Sequence, residues 1–208
     1  MILLDVNGTL IDLTAAKNAI FEEVTLRNFR KWGFKGSPEH LKKTFAEVDE
    51  DLKYKIHNLE TYPREVAHRL KLKASDDELS QENSEFKKAI IKKAHLMQGV
   101  QEALKRLSKI SDLVVFSNGW NELVFPLLEK FDILNYFSDV VCIGGTGMNK
   151  ERGQAFPELR QRGAWAIIGD NSKVDGMGEK MGISFVDVGQ GWEQVIKKIS
   201  DLKRQRGK

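Results

Sequence analysis

Short apolar runs alternate with amphipathic segments through much of the chain, and each run ends in a polar or glycine-rich turn. The first run, Met1 to Leu4, continues into Asp5 and a Gly8-Thr9 turn, which indicates a buried strand from whose end the chain breaks away. Similar runs predict strands over 113–116, 140–143, 165–168 and 183–188. Helical spacing between these runs predicts crossover helices, so we expect an α/β fold with a doubly wound parallel five-stranded sheet.

Residues 12–96 have a different pattern, because apolar positions recur there at helical spacing with charged residues between them. The helices predicted in this stretch run from Thr14, as N-cap, to about Arg30, from Ser37-Pro38 to about His57, from near Tyr62-Pro63 through Leu72, and from Asp76 to about Leu96. No strand is expected there. We therefore predict a small helical bundle, residues 12–96, inserted into an α/β core domain formed by 1–11 and 97–208.

Composition and charge narrow the class of protein. The chain has 33 basic and 30 acidic side chains, and part of this small excess lies in a C-terminal tail that ends at Lys208, so no nucleic-acid partner is expected. The single cysteine, Cys142, cannot form an internal disulfide and fits a reducing compartment. No charged leader precedes the first strand, and no apolar run approaches the ~20 residues that span a membrane. A cytoplasmic protein with no membrane partner is expected.

Polar side chains follow three of the predicted strands at their carboxyl ends. Asp5 follows the first, Ser117-Asn118 the second and Asp170 the fourth, with Asp175 five residues further on. Asp5 alone is equally well explained as a turn cap, but the carboxyl ends of parallel strands meet at one edge of a sheet. Crowded carboxylates repel one another unless a hard cation neutralises them, and oxygen ligands suit Mg²⁺. With Lys150 just past the third strand, this edge is suited to phosphoryl transfer.

These positions resemble the motifs of the haloacid dehalogenase-like superfamily, in the subfamily with a helical cap inserted after the first motif. The matching segments are DVNGTL at 5–10, SNG at 117–119, Lys150, and GDNSKVD at 169–175. The resemblance covers the whole chain and implies a Rossmann-type core with residues 12–96 as the cap. Each motif alone is weak, whereas four in the right order at strand ends are a specific signal.

The resemblance also implies roles for individual residues. Asp5 would be the nucleophile, and Mg²⁺ would be held by Asp5, Asp170 and the backbone carbonyl of Asn7, while Asp175 would hold the metal's waters or orient Lys150. Asn7, Ser117 and Lys150 would complete the catalytic positions around Asp5. The side chains that would bind or support the transferring group are those of Thr9, Ser117, Asn118 and Lys150.

One departure from the phosphatase pattern concerns Asn7. Phosphatases of this superfamily usually carry an aspartate two residues after the nucleophile, as general acid and base. An amide can neither protonate a leaving alkoxide nor activate water, and such a loss typically removes ~10²–10⁴-fold in rate. The backbone carbonyl of residue 7 survives the substitution. The third motif also departs, since Glu151 follows Lys150 in place of proline, and Arg152 is a minor rival for its role.

The leading hypothesis is a Mg²⁺-dependent phosphatase that acts on a small phosphorylated metabolite through an aspartyl-phosphate on Asp5, slowed by Asn7. The alternative is a 2-haloacid dehalogenase, whose family members lack the second aspartate and carry SNG, as here. Dehalogenases, however, need no metal, usually replace the glycine-aspartate of the fourth motif, and bind the substrate carboxylate with an arginine. Arg27 and Arg30 are no clear equivalents of it, because their helix is compatible with a solvent-facing position. A third hypothesis is a metabolite-binding member whose catalysis has decayed.

Several further residues are interpreted as structural. The histidines all lie in the predicted cap and are expected at the surface or in packing, namely His40, His57, His68 and His95. Trp120 either lines the pocket or packs in the core, and the glycines of 144–147 are expected to form a flexible turn. The substrate is not indicated by the sequence, nor is the choice between a monomer and a homodimer.

Overall fold

The computed structural model describes residues 1–206, so Lys208 of the basic tail lies outside the described residues. Its strands are β1 (Ile2–Leu4), β2 (Ile11–Asp12), β3 (His95–Leu96), β4 (Leu113–Ser117), β5 (Phe137–Cys142), β6 (Ala166–Gly169) and β7 (Ser184–Asp187). Five of these form a parallel sheet in the order β5-β4-β1-β6-β7. The predicted α/β, Rossmann-type sheet is therefore confirmed, with β1 at its centre.

Helices connect the strands and cover the sheet. Within residues 1–206 the α-helices are α1 (Thr14–Ile20), α2 (Arg27–Lys31), α3 (Pro38–Leu52), α4 (Thr61–Arg69), α5 (Asp76–Lys93), α6 (Val100–Leu107), α7 (Asn121–Lys130), α8 (Phe156–Gln161) and α9 (Trp192–Arg206). One buried apolar cluster unites the sheet with α6, α7 and α9, and a second unites the sheet with α8. None of these described helices combines the length and the apolar character needed to cross a membrane.

Between β2 and β3 the chain forms a helical segment, residues 14–93, that has an apolar cluster of its own around Phe29, Leu41, Val48 and Val66. The long helix predicted over 14–30 is interrupted, because a π-helix, Phe21–Leu26, separates α1 from α2.

Several predicted boundaries in this segment are wrong. Thr14 is not the cap of α1, because the carboxylate of Asp12 accepts the backbone N–H groups of Thr14 and Ala15, at 2.9 and 3.3 Å. α3 ends at Leu52 and not near His57. The expectation of no strand in 12–96 fails at both ends, where β2 and β3 pair antiparallel as the chain leaves and re-enters the core. A ladder this short has no periodicity that a sequence could reveal.

Candidate active site

Three carboxylates converge at the carboxyl edge of the sheet. Asp5 follows the central strand β1 and Asp170 follows β6, while Asp175 begins the 3₁₀-helix Asp175–Met181. One oxygen from each of these side chains lies within 4.8 Å of the others. Asp5 and Asp170 are therefore close together, as their positions at the ends of parallel strands predict. Parallel neighbours of a central strand cannot avoid presenting their following residues at one edge.

A single buried ammonium faces this carboxylate cluster. Lys150 is 1% exposed, and its Nζ donates to Asp5 Oδ1 at 2.5 Å and to Asp175 Oδ1 at 2.8 Å. Burial disfavours the charged lysine, but the attraction of the two carboxylates outweighs it and raises the pKa of Lys150. The guanidinium of Arg152, the rival for this position, instead lies over the ring of Tyr54.

The cluster carries more negative charge than Lys150 can balance. Asp175 is 1% exposed, its Oδ2 has no hydrogen-bond partner within residues 1–206, and burial raises its pKa to about 6 although Lys150 opposes the shift. The pKa of Asp170 is also raised, first by partial burial and then by the nearby charge of Asp5. Both shifts arise because burial disfavours the charged carboxylates and because Asp5 brings a like charge close to them.

Two motif glycines let these carboxylates approach the backbone. Gly8 has φ +75°, and a Cβ there would collide with the carboxylate of Asp170. A Cβ on Gly169 would collide in the same way with Asp175. Glycine is therefore required at both positions for the cluster to form.

The predicted phosphate-binding side chains border the same edge. Ser117 is buried at the end of β4, and its Oγ accepts the N–H of Gly119 at 2.9 Å. Asn118 is exposed, and its Oδ1 accepts the backbone N–H of Lys150 at 3.2 Å, which ties the second motif to the third. Thr9 is the exception, because it is fully buried, its hydroxyl has no partner within the described residues, and it is not exposed to a phosphate in this structure.

Asn7 lines the site but is engaged elsewhere. Its Oδ1 accepts the backbone N–H of Leu13 at 3.2 Å, so the amide fixes the start of the helical segment. The residue nevertheless borders the same cavity as Asp5 and Asp170.

A cavity of about 560 Å³ extends from the carboxylates towards the helical segment. Its walls are mostly apolar and aromatic, and the aromatic members are Phe21, Phe45, Tyr62, Phe86 and Trp120. This volume falls in the range of small-molecule sites. Arg27 and Arg30 do not line it, since Arg27 pairs with Glu85 and Arg30 donates to the carbonyl of Phe34.

Sequence reasoning missed how the core meets the helical segment. Among the histidines, His40, His68 and His95 are exposed, but the ring of His57 packs edge-on against Tyr62 and Trp120 at 5.3 and 5.9 Å. The backbone N–H of His57 donates to the carbonyl of Gly145 at 2.9 Å. The predicted flexible turn of 144–147 is therefore a docking contact between the two parts of the chain. The sequence feature that could have indicated this contact is Gly145 itself. Its φ is +74°, and a Cβ at that position would strike the carbonyl of His57.

Comparisons with known proteins agree with this fold. Residues 1–172 match the family model described as haloacid dehalogenase-like hydrolase. Similar structures include 2-haloacid dehalogenase from Pseudomonas syringae pv. Tomato DC3000, with TM-score 0.66 and 20% identity over 91% of this chain and 86% of that one. A HAD phosphatase from Thermococcus onnurineus has TM-score 0.63 and 17% identity over 89% and 84%. The HAD hydrolase YfnB from Bacillus subtilis, solved bound to magnesium, has TM-score 0.62 and 18% identity over 88% and 86%. No match was found among the curated proteins.

Proposed function

Because the chain belongs to the haloacid dehalogenase-like hydrolases, we propose that it is a Mg²⁺-dependent phosphatase of a small phosphorylated metabolite. The observation that carries the proposal is the group of three carboxylates, within 4.8 Å of one another, opposed by one buried lysine. This arrangement suits a phosphatase, because catalysis of phosphoryl transfer consists mostly of positioning and charge stabilisation.

The donor set fits a magnesium ion. All the candidate ligands are oxygens, and Asp175 has one buried oxygen without a partner among the described residues. Asp5, Asp170 and the backbone carbonyl of Asn7 would hold the ion, with Asp175 behind them. When bound, Mg²⁺ would neutralise the charge of the phosphoryl oxygens. The magnesium-bound structure of YfnB, which has the same fold, supports this assignment.

The other catalytic roles are assigned to individual side chains of the chain. Lys150 holds Oδ1 of Asp5, which orients the carboxylate so that its other oxygen can attack phosphorus. The bond from phosphorus to the leaving oxygen breaks, and an aspartyl-phosphate forms on Asp5. Ser117 and Asn118 bind the phosphoryl oxygens. Water then attacks phosphorus, which releases phosphate and restores the carboxylate of Asp5.

The side chain of residue 7 determines which phosphate esters are hydrolysed fastest. The amide of Asn7 cannot give a proton to the leaving oxygen. Acyl and aryl phosphates, whose leaving groups need little protonation, are therefore the favoured substrates. Residues 12–96 would act as a cap that covers the carboxylates and keeps bulk water from the aspartyl-phosphate.

The test is phosphate release from p-nitrophenyl phosphate with Mg²⁺ and with a chelator. We expect turnover only with the metal, and its loss in Asp5→Asn. Asp112→Asn is the matched control, because Asp112 is an exposed residue next to the amino end of β4. Equal turnover by the two variants would show that Asp5 is not the nucleophile.

A dehalogenase is the second candidate, and the observations that favour it are Asn7 and the apolar cavity wall. Against it, Arg27 and Arg30 do not line the cavity and so could not bind a substrate carboxylate there. Halide release from 2-chloropropionate in the presence of a chelator distinguishes this function. A binding protein without catalysis would bind Mg²⁺ and ligand and turn over neither substrate.

A further inference from the structure

The cavity has a second polar region away from the strand ends. Glu82 of α5 lines the cavity, although the residue is only 4% exposed. Its Oε1 accepts a hydrogen bond from the hydroxyl of Thr25 at 3.1 Å. Within residues 1–206 its Oε2 accepts no hydrogen bond, and no lysine or arginine there forms an ion pair with it.

A structural role does not account for this carboxylate. Leu79, Phe86 and Ile90, on the same side of α5, are apolar and pack into the clusters of the helical segment. Burial raises the pKa of Glu82 to about 7, and the nearby charge of Glu85 adds to that shift. An apolar side chain at this position would avoid the desolvation cost altogether.

The surroundings of Glu82 favour a cationic ligand group. Asn83, also buried in the cavity wall, donates its Nδ2 to Glu60 at 3.4 Å, which leaves its carbonyl oxygen as an acceptor. Asp49 and Lys17 also line the cavity, and the charge of Asp49 partly offsets the burial that lowers the pKa of Lys17. The helical segment therefore contributes two carboxylates and one ammonium to the wall, together with an acceptor from Asn83.

The backbone beside Glu82 is also unusual. Thr25, its hydrogen-bond partner, belongs to the π-helix Phe21–Leu26, and both Phe21 and Thr25 line the cavity. π-helical turns are rare and are frequent at functional sites. The extra residue in the turn changes which side chains of this stretch face the cavity, so the buried hydroxyl that contacts Glu82 depends on it.

We propose that Glu82, supported by Thr25 and Asn83, binds a protonated amine of the substrate. The substrate is then an amine-bearing phosphate monoester with an apolar body. Its phosphate lies at Asp5, its apolar body contacts the aromatic wall, and its ammonium group reaches Glu82. The phosphate end of this assignment rests on the proposed function, whereas the amine end rests on Glu82 alone.

Two matched pairs of compounds test the amine end separately from catalysis. The first pair is 4-(aminomethyl)phenol and 4-methylphenol, whose binding to the full chain is measured by calorimetry. The second pair is the corresponding phosphates, whose hydrolysis is measured as phosphate release. The variants are Glu82→Gln, which keeps the shape and an acceptor for Thr25, and the control Glu85→Gln. Glu85 lies on the same helix but bonds to Arg27, Asn28 and Gln81 and does not line the cavity.

We expect the wild type to bind 4-(aminomethyl)phenol about tenfold or more tightly than 4-methylphenol, since hydrogen bonds to charged groups are the strong ones. Glu82→Gln should lose this preference and Glu85→Gln should retain it. The ratio of kcat/KM for the two phosphates should follow the same pattern. A thermal melt of Glu82→Gln confirms that the variant is folded.

The outcomes separate the two proposals. An unchanged preference in folded Glu82→Gln, or no preference in the wild type, overturns the amine site even if both phosphates are hydrolysed. A preference that depends on Glu82 without hydrolysis of either phosphate supports the amine site and refutes the phosphatase.

Discussion

Replacement of Asn7 by aspartate tests the chemical consequence of the altered first motif. The amide oxygen of Asn7 accepts the N–H of Leu13 at 3.2 Å, and an aspartate oxygen can accept the same hydrogen bond. The turn after β1 and the start of α1 should therefore be preserved. What the substitution adds is an ionisable group that borders the cavity beside Asp5.

The expected magnitude follows from two opposing effects. A positioned general acid and base contributes ~10²–10⁴-fold. The new carboxyl group must leave the N–H of Leu13 to reach a substrate, which reduces the gain, while the neighbouring carboxylates favour its protonated form. We therefore expect Asn7→Asp to raise phosphatase activity by about tenfold or more, which corresponds to ~1.4 kcal/mol in the activation barrier. The gain should be larger for an alkyl phosphate than for p-nitrophenyl phosphate, whose leaving group needs little protonation.

The assay compares kcat/KM of both proteins on p-nitrophenyl phosphate and on an alkyl phosphate with Mg²⁺ present. Asn7-Gly8 is prone to deamidation, so the intact mass of fresh wild-type protein is measured first. Asn171→Asp is the matched control, because Asn171 also lines the cavity and the change adds the same charge. If the wild type and the Asn7→Asp variant hydrolyse each ester at equal rates, residue 7 is not the acid and base.

Three further predictions concern stability. Lys150→Met should lower the free energy of unfolding by about 3 kcal/mol or more in urea, because it leaves buried carboxylates uncompensated, whereas exposed Lys173→Met should change little. The folded pKa of Glu82, about 7, exceeds the ordinary glutamate value of 4.5, so the native state binds more protons between these values and stability falls as pH rises through them. Glu82→Gln should not show this fall. In denaturant titrations its free energy of unfolding should therefore rise relative to that of the wild type by about 3 kcal/mol from about pH 4.5 to pH 8. Gly145→Ala should cost about 1–3 kcal/mol by thermal melting, more than Gly153→Ala, where the φ is similar but a Cβ meets nothing within 4 Å.

The carboxylate cluster could be predicted because each strand end is indicated by the residues of that strand alone. An apolar run followed by a polar residue marks a strand end, and the topology of a parallel sheet then brings Asp5 and Asp170 together without any knowledge of packing. Lys150 is identified in the sequence through its place in the motif order. Its burial against Asp5 and Asp175 depends on the loop after β5, which no periodicity specifies.

The amine-binding residues proposed here had no such signal. Glu82 lies among polar residues in the sequence of α5, and a glutamate in a helix is normally expected at the surface. Its burial depends on how α5 packs against the π-helix that contains Thr25, and helical spacing alone did not predict that π-helix. The docking of Gly145 on His57 is likewise a contact between distant parts of the chain.

Charge balance favours a metal at Asp5 independently of any similarity in sequence or fold. Three ionised carboxylates and one ammonium leave two negative charges in a partly buried site, and a phosphate monoester would bring further negative charge. Protonation could relieve the excess, as the raised pKa values of Asp170 and Asp175 indicate, but a protonated ligand would stabilise a transferring phosphoryl group less well. A divalent cation would remove the excess without adding a proton to the site. A dehalogenase, which has no phosphate to neutralise, would gain nothing from Asp170 that could offset the cost of holding it beside Asp5.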